Sequence, residues 1–153
     1  MARRKRLLIL GPSFRRNREG KLLPAIERYD GLFYRIARKY LKSAKNVDTV
    51  VMTDKLTLVD GSTCLPYEEP EGENWGSKTI PVGIIKKASL ENRNFLDKKL
   101  RGGKYAELFI SMGKQYAKAL PELTLYKVRV VFPSTGKRGL GPKAQALVKW
   151  LSQ

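Results

Sequence analysis

The sequence predicts an α/β fold with a mainly parallel sheet of four to five strands. Two observations carry that expectation. Short runs of consecutive apolar residues such as Leu7-Leu8-Ile9-Leu10 lack the polar alternation of a half-solvated strand, and so read as strands covered on both faces. Segments with helical apolar spacing alternate with these runs from one end of the chain to the other, the pattern of successive strand–helix–strand units. A length of 153 residues is enough to bury a sizeable core without covalent staples, so residues 1–153 read as one domain.

The first strand is Leu7 to Leu10, preceded by charge and stopped by Gly11-Pro12. A basic loop follows, carrying Arg15, Arg16, Arg18, Gly20 and Lys21. Phe33, Ile36, Ala37, Tyr40 and Leu41 then recur at helical spacing, while Arg35, Arg38, Lys39 and Lys42 repeat that spacing two residues on. Two residues advance about 200° around a helix, which sets the basic stripe opposite the apolar one. Val47 to Met52 reads as a second strand, and the acidic stretch from Asp60 to Gly76, with Pro66, Pro70 and Gly72, as a long surface loop. Ile80 to Ile85 reads as a short strand or extended segment, and Ser89 to Leu100 as a helix ended by Gly102-Gly103. Leu108-Phe109-Ile110-Ser111 is a further buried strand, running through Met112-Gly113 into a helix that reaches Leu120 and is closed by Pro121. Val128, Val130 and Phe132 alternate with Lys127, Arg129 and Val131, a last strand with one more solvated face. Lys143 to Leu151 carries Ala144, Leu147, Val148 and Leu151 on one face of a closing helix, and no internal repeat is visible.

Charge is sorted along the chain. Residues 1–45 hold 14 bases against 3 acids, residues 46–76 hold 1 against 7, and residues 77–153 hold 16 against 4, for a net charge of +17 and an isoelectric point near 10.2. Such a field attracts a polyanion, either nucleic acid or an anionic membrane. No segment approaches the roughly 20 apolar residues of a membrane span. Met1 to Arg6 resembles the basic start of a signal peptide, but the apolar run behind it is too short for a leader core, so a soluble cytoplasmic protein is expected. The single Cys64 has no internal disulfide partner and the chain has no His. Zinc sites of the usual kind, Ser–His and Cys–His nucleophiles and triad hydrolases are thereby excluded, and neither metal nor cofactor is expected.

Ligands of open α/β sheets sit outside the carboxyl ends of the strands, so the loops after strands are the places to seek chemistry. Gly11-Pro12-Ser13-Phe14-Arg15-Arg16 offers a hydroxyl, an aromatic ring and two guanidinium groups. Ser134 to Gly141, with Lys137 and Arg138, offers cations and backbone amides before a helix, although it lacks P-loop spacing and a glycine-rich turn of this kind is more often only a turn. Gly113, after the third buried strand, permits either a close ligand or tight packing. Glu68, Glu69, Glu71 and Glu73 with Asp60 form an acidic cluster, readable as acid–base or metal-holding carboxylates or as a solvated loop. Phe14, Tyr67 and Trp75 lie in loops and Tyr29 and Tyr34 flank the basic helix; each is read either as a base-stacking platform or as core.

Pro24-Ala25, Tyr29-Asp30-Gly31-Leu32-Phe33 and Arg35 resemble an uncharacterised family of small microbial α/β domains, distantly similar to the YaaA peroxide-stress proteins. The likeness extends through Gly11 to Arg16, Thr53-Asp54-Lys55-Leu56-Thr57-Leu58, Pro66-Tyr67 and Gly113-Lys114-Gln115-Tyr116, with Pro12-Ser13 where the family carries Cys-Ser and Thr57 where it carries glycine. What the resemblance implies is a single-domain, three-layer Rossmann-like fold in which Ser13, Phe14, Tyr29, Lys55, Tyr67 and Gly113 converge on one pocket. It implies no particular reaction. The expectation from sequence is therefore a protein that binds RNA or single-stranded DNA through Arg15, Arg16, Arg35, Arg38, Lys39, Lys42, Lys137 and Arg138. An enzyme acting on a nucleobase or nucleotide, with Lys55 and Glu68 as its candidates, and a structural component of a ribonucleoprotein assembly are the alternatives.

Overall fold

A computed structural model of the chain describes residues 4–70, 79–133 and 140–153. Strand β1 (Lys5–Leu10) lies at the centre of a five-stranded sheet, between β3 (Val47–Met52) and β6 (Tyr105–Ser111), with β7 (Arg129–Val131) beyond β6 and β4 (Leu58–Asp60) beyond β3. The β3, β1, β6 and β7 strands are mutually parallel, and β4 runs antiparallel to β3. A separate antiparallel pair joins β2 (Leu23–Pro24) to β5 (Cys64–Leu65). The helices are α1 (Ala25–Arg28), α2 (Leu32–Leu41), α3 (Val82–Lys99), α4 (Lys114–Ala117) and α5 (Leu140–Leu151).

Both faces of the sheet are covered, which is why the Leu7 to Leu10 part of β1 is uninterrupted by polar residues. Leu7 and Ile9 point into a core that includes Ala88 and Leu96 of α3, whereas Leu8 and Leu10 point into one that includes Tyr34 and Ala37 of α2 and Leu147 and Trp150 of α5. Phe109 of β6 meets the Trp150 ring at a centroid distance of 5.0 Å, anchoring α5 to the sheet. Each buried aliphatic side chain of this kind contributes about 1.5–3 kcal/mol.

Several elements differ from the sequence expectation. The stretch expected to be extended from Ile80 to Ile85 instead enters α3 at Val82, because Pro81 caps the helix and Ile85, Ala88, Asn92 and Leu96 form its inward face at helical spacing. Val82, Ile84 and Leu90 stand on its exposed side and blur the helical signal. The helix expected up to Leu120 is a single turn, α4, and the last strand holds only three residues at the sheet edge. The acidic loop expected from Asp60 to Gly76 contains β5, which ties its first part to β2; its residues 71–76 lie outside the described residues. Among the described residues, no helix is long and apolar enough to cross a membrane.

Candidate functional site

From β1 the chain passes to β3 on one side and later to β6 on the other, so the loops leaving β1 and β6 diverge and open a crevice at their carboxyl ends. The two strand ends approach closely: a Cβ on Gly11 would fall 2.4 Å from the Met112 Cβ, so only glycine fits. The Tyr34 hydroxyl donates to the Gly11 carbonyl at 2.6 Å, and Gly31, at the start of α2, packs so tightly on Ser13 that a Cβ there would meet its Oγ at 2.4 Å. A cavity of about 290 Å³ lies here, between Ser13, the first turn of α2, Gly113 and Lys143 of α5. Burial, with the like charge of Lys114 nearby, pulls the Lys143 ammonium below the usual lysine range.

A larger cavity, of about 500 Å³, is built on the other part of the same loop by Phe14, Arg15, Arg16 and Arg18, facing Tyr67 and Glu69. The loop is clipped to the chain before α2. Asn17 N donates to Arg28 O at 2.8 Å and Asp30 N to Arg15 O at 2.9 Å, with Arg16 and Tyr29 bridged between them. Beneath lies Arg28, only 2% exposed, whose guanidinium donates to the carbonyls of Asn17, Glu19, Lys21 and Leu65 at 2.5–3.2 Å. Four carbonyl dipoles thus stand in for water around its charge. The same group lies 5.9 Å from the Tyr67 ring centroid and supports that ring from below.

Arg16 is held from another direction. Its side chain, 7% exposed, pairs with Asp54 at 2.6 Å, donates to Glu68 O at 3.1 Å, and lies 5.2 Å over the Tyr29 ring. Its Nε is buried and without an acceptor among the described residues. Burial and the Asp54 charge push the Tyr29 hydroxyl up to about 12. Asp54 is placed by the turn after β3, in which Leu56 takes a left-handed φ of 64°. Buried Asn92 of α3 fixes that turn: its Nδ2 donates to Leu56 O and Ala119 O, both at 2.9 Å, and its Oδ1 accepts from Leu58 N at 3.1 Å.

Asp30 gathers three guanidinium groups, with Arg15 at 3.7 Å, Arg35 at 3.0 Å and Arg38 at 2.5 Å. Hydrogen bonds from Arg35 and Arg38 hold its carboxyl below the usual range although burial opposes them. Arg38 also donates to Ile26 O and Tyr29 O, both at 2.9 Å, so this member of the basic stripe is turned inward. Arg35 and Lys39 on α2, and Lys42 directly after it, remain exposed.

The six residues expected in one pocket are distributed between two cavities and the surface. Ser13 and Gly113 meet in the smaller cavity, Phe14 and Tyr67 in the larger, and Tyr29 is buried beneath Arg16. Lys55 lines neither. It pairs with Glu68 at 3.3 Å, the two side chains 68% and 50% exposed. Lys137, Arg138, Trp75, Glu71 and Glu73 lie outside the described residues, and no cluster of three or more His, Cys, Asp or Glu able to hold a metal occurs among the described ones. Sequence reasoning missed Arg28, Asn92, Asp54 and Lys143, since each carries a residue type that ordinarily reads as surface. Asp30 carried a usable signal, an acid directly before a helix whose next turns hold arginines.

Comparison with protein-family models, curated proteins and solved structures finds no match for the chain.

Proposed function

We propose that the protein binds single-stranded nucleic acid, RNA or DNA, through the loop that follows β1. The observation that carries this reading is the 500 Å³ cavity in which Phe14, 69% exposed, stands beside Arg15, Arg18 and Tyr67 in a chain of net charge +17. Exposed aromatic rings beside guanidinium groups suit unpaired bases and their phosphates, and each stacked base is worth about 1–3 kcal/mol. Arg16 and Arg38, engaged by Asp54 and Asp30, belong to the frame; Arg15, which pairs with Asp30 only at 3.7 Å and is 69% exposed, meets the backbone together with Arg18, Lys39 and Lys42. The strand order with helices on both faces supports reading the whole as one three-layer, Rossmann-like domain, and the lone reduced cysteine suits the cytoplasm.

Binding is favoured over catalysis because Lys55 and Glu68, the candidate reactive pair, stand together in solvent and line neither cavity. Membership of a ribonucleoprotein would use the same surface. The test is anisotropy of a fluorescent single-stranded oligonucleotide at low salt. Phe14→Ala is expected to weaken binding roughly 5- to 150-fold, the equivalent of one lost stack. The Arg15→Glu, Arg18→Glu double variant should weaken it for all sequences alike. Wild-type affinity in both variants, with unchanged circular dichroism, overturns the reading.

A further inference from the structure

We infer that the cavity beside Phe14 selects an unpaired guanine through the Glu69 carboxylate, an inference that rests on the nucleic-acid reading above. The cavity's cations, Arg15, Arg16 and Arg18, attract phosphate and its two carboxylates, Asp30 and Glu69, repel it, so the use of a carboxylate left open there lies with a base edge that donates. Asp30 is already occupied by Arg15, Arg35 and Arg38. Glu69 is not: its Oε1 accepts from the Tyr67 hydroxyl at 2.6 Å, and no hydrogen bond reaches Oε2 among the described residues. The carboxylate is also oriented from the core, because the Tyr67 ring that holds it rests on the Arg28 guanidinium, itself fixed by four backbone carbonyls.

The base edges differ in what they present to such a group. Guanine offers N1–H and N2–H side by side, two donors matched to the two oxygens of a carboxylate. Adenine and cytosine offer one amino group beside a ring nitrogen lone pair, and uracil offers one N–H between two carbonyls, so each of these sets an acceptor against the carboxylate. Phe14 supplies a stacking face common to all bases, and Arg15 and Arg18 the backbone contacts. A bidentate pairing of this kind discriminates by roughly tenfold or more.

The experiment uses the full chain and short fluorescent uridine strands carrying one central guanosine, inosine, adenosine or cytidine, beside the all-uridine strand. The guanosine strand is expected to bind roughly tenfold more tightly than the adenosine, cytidine and all-uridine strands, with inosine, which keeps N1–H and lacks the 2-amino group, in between. In Glu69→Gln, which retains an acceptor for Tyr67 at an exposed position, the guanosine preference should shrink towards unity. Equal affinity for every strand, or a preference that survives Glu69→Gln, overturns the guanine assignment; if Phe14→Ala still weakens all strands, the binding reading stands without it. Failure of every strand to bind at low salt overturns both.

Discussion

Arg28 is a surface-type residue used as an interior strut. Its removal leaves the carbonyls of Asn17, Glu19, Lys21 and Leu65 buried without donors, so Arg28→Met is expected to lower stability by about 3–5 kcal/mol, read from the urea midpoint. Arg28→Lys should recover only part of this, because an ammonium cannot reproduce the fork of donors. A loss under about 1 kcal/mol, the size of an ordinary surface change, would remove the strut role. Tyr29 makes a pH prediction. Its hydroxyl ionises at about 12 in the folded chain, against about 10 for a free tyrosine. Both states keep the proton below pH ~10, and between about 10 and 12 the unfolded chain releases it first, so stability falls as pH rises through that window. Burial also raises Tyr34, Tyr105 and Tyr126, so Tyr29→Phe should reduce the slope of unfolding free energy against pH without abolishing it. An identical slope in the variant would contradict the assignment.

Among the elements, α3 links the far face of the sheet to the loop after β1. Asn92 holds Leu56 in its left-handed turn, the turn presents Asp54, and Asp54 pairs with Arg16. Asn92→Ala is expected to cost about 2–4 kcal/mol, since it strands three buried backbone groups, and to speed hydrogen exchange at the Leu58 amide that it no longer accepts. Unchanged exchange there would separate the helix from the turn. This is also where the sequence was least legible. Strands β1 and β3 and helix α2 could be read because burial on both faces, or on one stripe, prints itself directly on residue type. The start of α3 could not, because Val82 and Ile84 are β-formers that face solvent at the beginning of a helix. Three-residue β4 follows a turn stabilised by an asparagine 34 residues away, and no local pattern announces it. The loop after β1 was legible as a candidate site from its position alone, but not the arrangement of its arginines, since Arg16 depends on Asp54 and Arg28 on carbonyls from other parts of the chain.

At the scale of the molecule, the acids are used where they order the site. Asp30 and Asp54 immobilise arginines around the cavity, and the remaining cations give the chain its unbalanced field. With no histidine, no side chain with an ordinary pKa titrates near neutrality, so affinity for a polyanion is expected to stay flat between about pH 6 and 8. The most direct test of the account is the affinity of the wild-type chain for a fluorescent single strand measured across a series of salt concentrations. Contacts from Arg15, Arg18, Lys39 and Lys42 predict binding at low salt and a slope of log K against log salt near −3, at about −0.7 for each phosphate met. A slope near zero, or no binding at low salt, would contradict it.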